Sequence, residues 1–185
     1  PENAIPEVTR FLRAVDVRID GFRVERAPEW RGQRVFVRHE VGGKTYELRL
    51  SEESAGTQKL MGLAAYLMTA LERGGTVVVD ELDAKLHPKL LRYVILLFKD
   101  PGVNKSGAQL IFSSQDVSTM RNDVFRRDEI WFAARGEGEA SQLWSLADIH
   151  EANGNLVSRN AAFDKQYLSG RYGADPYLTR IEEWD

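Results

Sequence analysis

Thr76-Val77-Val78-Val79-Asp80-Glu81 is the stretch on which the fold turns. Its first four residues are β-branched, which favours an extended backbone, and the run stops at two adjacent carboxylates. A short apolar run without alternation is the profile of a strand buried on both faces, as in a parallel sheet covered by helices. In such an open α/β sheet the carboxyl end of a strand delivers its residue into the crevice where ligands bind. One carboxylate there can hold Mg²⁺, usually through water, while its neighbour positions or deprotonates an attacking water. The expectation is Asp80 as the magnesium residue and Glu81 as the general base. The plainer alternative is a strand that ends in a solvated Asp-Glu pair.

On the N-terminal side of this strand, Leu60, Leu63, Ala64, Leu67, Met68 and Leu71 recur at helical spacing, and Gly74-Gly75 stops the helix. On the other side a helix is predicted from near Pro88 to about Lys99, followed by a second short apolar strand, Gln109 to Ser113. Helix, strand, helix, strand implies α/β class with a parallel core sheet. Further out, Val15, Val17 and Ile19 alternate with charged residues and predict a half-buried strand. Val35 to Val41 and Tyr46 to Leu50 flank Gly42-Gly43, a hairpin signal, because both turn residues need positive φ. Ile130 to Ala133 and Gln142 to Leu146 bracket Gly136 to Gly138 and predict a second, C-terminal hairpin. From Asn153 onward the chain is rich in Asn, Gly and Arg and shows no period.

The bulk numbers exclude several classes. At 185 residues the chain suffices for one domain with a real core. The net charge of −3 advertises no global basic field for nucleic acid, although a local basic face stays open. The absence of cysteine excludes a disulfide framework and thiolate metal ligands. The longest nearly apolar run, Leu90 to Phe98, is too short to span a bilayer, so no membrane is expected and the chain is read as cytoplasmic.

About twenty residues before the acidic pair stands Leu50-Ser51-Glu52-Glu53-Ser54-Ala55-Gly56-Thr57-Gln58-Lys59-Leu60. It opens the first helix, where free N–H groups and the positive end of the dipole attract a phosphate. Ser54 can add a hydroxyl donor there, and Gly56 allows close backbone approach. An N-cap at Ser51 or Ser54 would need no ligand. His87, beside Pro88, invites a metal site with Asp80 and Asp83, but a lone histidine at a helix start is more often a cap.

Together these residues resemble the C-terminal half of ABC-type, SMC-like ATPases. The match is to the Ser-x-Gly signature at Ser54 to Gly56, the Walker B strand ending at Asp80-Glu81, and the D-loop and its exit, Leu82 to Pro88. Ser51 to Thr57, Arg126 to Phe132 and Leu168 to Leu178 are similar to bacterial AAA-type ATPases of abortive infection and phage defence. The resemblance implies an ABC-like head that dimerises around ATP and Mg²⁺. Ser54, Gly56, Thr57 and Gln58 would contact the γ-phosphate of ATP on the other subunit, and Asp83 would face that partner. It also implies a defence role, with an effector protein as a further partner.

Two departures qualify this. The sensor strand Leu110 to Ser114 leads to Gln115 where the family usually has histidine; glutamine donates a hydrogen bond but carries no charge. The Walker A loop is missing. Gly43-Lys44-Thr45 has Arg38 where the loop needs glycine and is followed by a strand pattern, and Lys105-Ser106 is preceded by Asn104. The fold expected is therefore a partial P-loop NTPase, a single lobe comprising a strand-rich segment at about 1–50, the signature helix, Walker B and switch strand at 51–150, and a tail at 151–185. The absent lobe is expected to precede Pro1 in a longer protein or to be a separate chain, and the isolated chain is expected to hydrolyse ATP negligibly. Two other classes remain: a magnesium-dependent nuclease built on Glu81 and Asp83 with Glu25 or Glu40, and a non-catalytic dimerisation module.

Overall fold

The computed structural model describes residues 5–15, 19–26, 33–135 and 140–174. They belong to two compact units, residues 1–115 and 116–185.

The first unit opens with helix α1, Ile5–Ala14, where a strand was expected to follow at Val15. Val15 instead closes the helix, its N–H donating to the Phe11 carbonyl at 3.1 Å. Val8, Phe11, Leu12 and Val15 recur at helical spacing, and all four are buried. That stripe wins over the alternation of Val15 and Ile19, which would have buried fewer side chains; Val17 lies outside the described residues. Strands β1 (Gly21–Arg26), β2 (Gln33–Val41) and β3 (Lys44–Arg49) form an antiparallel sheet in the order β1-β2-β3. The expected hairpin is there, with Gly42 and Gly43 at φ 59° and 74°, so Gly43-Lys44-Thr45 is a hairpin turn. Leu50 has left the sheet for a 3-10 turn, Leu50–Glu52.

Helix α2 runs Ala55–Arg73 and buries Thr57, Leu60, Ala64, Leu67, Ala70 and Leu71. Gly74 ends it at φ 72°, and a Cβ there would lie 2.6 Å from the Ser106 carbonyl oxygen. Ser106 also donates its hydroxyl to the Glu72 carbonyl at 2.8 Å, tying the end of α2 to the loop before the last strand of the unit. Strand β4 (Thr76–Val79), helix α3 (Pro88–Lys99) and strand β5 (Gln109–Phe112) form the expected crossover. The two strands pair in parallel, from Thr76↔Gln109 to Val79↔Phe112.

The burial of β4 differs from expectation. Val79 faces inward at 8% exposure, but Val78 is 73% exposed and its partner Ile111 56%. Helices cover one face of the pair, and among the described residues this sheet has two strands and an open apolar face.

In the second unit, β6 (Trp131–Arg135) and β7 (Ser141–Ser145) pair antiparallel as expected; residues 136–138 of the predicted turn lie outside the described residues. The aperiodic tail supplies a helix, α4 (Phe163–Leu168), and three core residues, Val157, Phe163 and Tyr172. These pack with Phe132, whose ring stacks on Tyr167 at 5.7 Å between centroids.

Candidate functional site

The parallel register ends both strands together, so Asp80 and Glu81 emerge beside Ser113. The Ser113 N–H donates to the Val79 carbonyl at 3.1 Å, and its own carbonyl accepts from Leu82 N–H at 3.0 Å. Its hydroxyl donates to Asp80 Oδ1 and accepts from the Glu81 N–H at 2.7 Å. Glu81 sits at φ 49°, in the left-handed region, a conformation that costs a non-glycine residue about 1–3 kcal/mol and persists only where its surroundings hold it. Both polar backbone groups of Glu81 are held: the amide by Ser113 Oγ, the carbonyl by Lys59 Nζ reaching from α2.

The next turn is fixed from within. Leu82 is fully buried and anchors it. Asp83 turns its carboxylate inward, where Oδ2 accepts from the Gln115 N–H at 3.2 Å and Oδ1 is buried without a hydrogen-bond partner among the described residues. Gln115, in the loop after β5, is therefore brought next to the acidic turn. Lys85 is the second non-glycine residue at positive φ, 66°. His87 caps α3, its Nδ1 accepting from the Lys89 N–H at 3.2 Å, which accounts for it without a metal.

The start of α2 packs against this turn. Ser54 is the N-cap: its Oγ accepts from the Thr57 N–H at 3.1 Å and shares a hydrogen bond with Thr57 Oγ1 at 2.8 Å. Gln58 folds its amide back onto the Glu53 carbonyl at 2.8 Å, and Glu53 is paired with His39 of β2 at 2.6 Å. The amides of Ala55 and Gly56, in the first turn, have no intrahelical partner by the geometry of any helix start. Gly56 lies against the turn after β4, where a Cβ would come within 2.8 Å of the Lys85 carbonyl oxygen.

Ser54, Gln58, Asp80, Glu81, Ser113 and Gln115 are all exposed, an open surface of hydroxyls, amides and carboxylates suited to an anionic ligand with a hard cation. The donor set fits Mg²⁺ bound with a nucleotide, since that ion takes one or two carboxylates plus phosphate oxygens and keeps several waters. It does not form an all-protein cage: among the described residues no three His, Cys, Asp or Glu side chains cluster for a metal. Glu25 and Glu40 lie on β1 and β2, in the other sheet of the unit, so the additional carboxylate that a nuclease centre needs is not brought to Glu81 and Asp83.

Two residues of this arrangement were not singled out in the sequence. Ser113 carried a signal, because two four-residue strands ending in step place the residue after Phe112 opposite the residue after Val79. Lys59 carried a weaker one: it lies three residues beyond Gly56 and so shares its face of α2.

Residues 3–121, well over half of the chain, match the family described as "AAA domain, putative AbiEii toxin, Type IV TA system". No curated protein matches. A solved chain from work on "ATP-driven dimerization and DNA stimulated activation of SMC ATPases" is similar in fold, with a TM-score of 0.55 and 16% identity, over 78% of this chain and 83% of that one.

Proposed function

Because the chain belongs to the AAA-domain family of putative AbiEii toxins, an ATPase-type NTPase family, we propose that it is the signature- and Walker B-bearing lobe of an ABC-type head that dimerises around ATP. The observation that carries this reading is the convergence of Asp80, Glu81, Ser113 and Gln115 at the paired ends of β4 and β5, directly beside the start of α2. In this reading the lobe is completed by a second one that supplies the P-loop. The open face of Val78 and Ile111 supports such completion, since parallel strands are ordinarily covered on both faces.

In the proposed head, Asp80 would hold Mg²⁺ through water, and the bound ion would supply positive charge against the phosphates. Glu81 orients the attacking water and accepts its proton, and Gln115 donates a hydrogen bond to the γ-phosphate. Ser54, Gly56, Thr57 and Gln58 meet the γ-phosphate of ATP on the opposing subunit. A helix N-terminus stabilises an anion only within about its first turn, so this contact needs the partner's nucleotide brought against it. Asp83, whose carboxylate turns inward to the Gln115 amide, shapes the turn that meets the partner when the heads close and does not itself reach across. A role in anti-phage defence with an effector protein belongs to the same proposal and rests on the sequence resemblance at residues 51–57, 126–132 and 168–178.

The test uses the protein completed with its P-loop lobe. Glu81→Gln removes the base and leaves the phosphate contacts, so ATP-bound dimer accumulates in sedimentation; Gly56→Asp sets a carboxylate where the γ-phosphate belongs, and dimer is lost. The chain of 185 residues alone turns over ATP negligibly, because the groups that hold the β- and γ-phosphates are absent. An ATP-loaded Gly56→Asp dimer as stable as that of Glu81→Gln would reduce residues 54–58 to a helix cap and end this reading.

A further inference from the structure

We propose that Ser113 is a positioning residue: its single hydroxyl sets the orientation of both acidic residues, Asp80 through the carboxylate and Glu81 through the main chain. The inference rests on the ATPase reading for its functional consequence, but not for its geometry.

A serine hydroxyl has one proton to donate and lone pairs to accept with. Here the proton goes to Asp80 Oδ1, and a lone pair takes the Glu81 N–H at 2.7 Å. The two bonds demand each other. With its proton committed to Asp80, the oxygen presents only lone pairs to the Glu81 amide. The main chain of Ser113 is itself fixed at both ends, its N–H to Val79 and its carbonyl to Leu82, so the hydroxyl works from a rigid base. Glu81 needs such a hold because its backbone is left-handed at φ 49°. Neither acidic residue is buried, so packing does not fix them; this hydroxyl takes that part for the Asp80 carboxylate and the Glu81 amide, while Lys59 and the Ala84 N–H hold the Glu81 carbonyl. A carboxylate that holds Mg²⁺ through water must also be aimed, and the groups that orient it are felt in metal affinity. Ser113 stands in that relation to Asp80 and adds a second relation to Glu81.

Threonine retains the hydroxyl and alanine does not, and because Ser113 is exposed, Ser113→Ala leaves the fold intact. Amide hydrogen exchange, read by NMR on the chain as it stands, gives the first measurement. Glu81 N–H is protected in the wild type, exchanges at least about tenfold faster in Ser113→Ala, and regains protection in Ser113→Thr. Leu82 N–H, bonded to the main chain of the same residue at 3.0 Å, keeps its protection in all three. The second measurement is a magnesium titration of ATP hydrolysis by the completed protein. Its midpoint rises about tenfold in Ser113→Ala, the low end for a partner of a metal ligand, and returns in Ser113→Thr. An unprotected Glu81 amide in the wild type, or equal rates in wild type and Ser113→Ala, overturns the inference, as does a midpoint that moves equally in both variants. If Glu81→Gln leaves hydrolysis intact, the ATPase reading fails, and the exchange data still decide whether Ser113 holds the turn.

Discussion

At Gly56 the helix start and the turn after β4 come so close that a Cβ would stand 2.8 Å from the Lys85 carbonyl oxygen. The sequence supplied one reason for glycine here, access for a phosphate, and was silent about this second one, because Lys85 is distant in the chain. The reasons separate in Gly56→Ala. Alanine gains about 1 kcal/mol of helix propensity over glycine. A backbone oxygen inside contact distance cannot yield as a flexible side chain would, so displacement of the turn outweighs that gain. The expected result is a net loss of about 1–2 kcal/mol in urea unfolding with no nucleotide present. Unchanged or raised stability would mean that the turn gives way freely. The placement of Asp80, Glu81 and Gln115 at the ends of the paired strands was legible because strand ends advertise such residues. The positions of Ser113 and Lys59 carried a signal, but their grip on Glu81 did not, since it depends on strand register and on a left-handed backbone that the residue type does not betray.

Among the elements, the β2–β3 hairpin and helices α2 and α3 were readable because each carries its own punctuation: Gly42-Gly43, Gly74, and Pro88 at the first helical position. Helix α1 was not, because two periods overlap at Val15 and only packing chooses between them; its buried stripe comes to lie against α2. The tail hid α4 for a similar reason. Its apolar residues are few and far apart in the chain, and they meet only around Phe132. One of them, Tyr172, gives that unit a signature in alkali. It is 4% exposed and donates its hydroxyl to Gln166 Oε1 at 2.6 Å. Burial, with the Glu151 carboxylate adding to it, pushes its phenol up to about 12 from 10.0. The folded chain thus holds this proton more tightly than the unfolded one. The stabilisation is complete below pH about 10 and is lost as pH rises through about 12, amounting to about 2–3 kcal/mol. Relative to the wild type, Tyr172→Phe should show a flatter fall of unfolding free energy across that window. Parallel curves would place the titration elsewhere.

For the molecule as a whole, the open face of the parallel pair is where sequence and structure part most clearly: valines suit a strand buried on both sides, and no pattern within one chain says which cover is present. If the face awaits a second lobe, Val78→Thr with Ile111→Thr changes the stability of the chain itself by no more than about 0.5 kcal/mol, as exposed substitutions do. The same pair should weaken association with a P-loop lobe, measured by sedimentation of the two together. A loss of several kcal/mol in the chain alone would show that its own residues already cover the face. Helix α2 is fastened at both ends, to Lys85 and Glu81 at its start and to Ser106 at its finish. Each added residue would turn one end relative to the other by about 100° and lengthen the helix by about 1.5 Å, which breaks one fastening or the other. An insertion or deletion within this segment is therefore expected to disturb the turn far more than a substitution at an outward position such as Tyr66, just as a bracket tolerates new paint but not a change in the spacing of its holes.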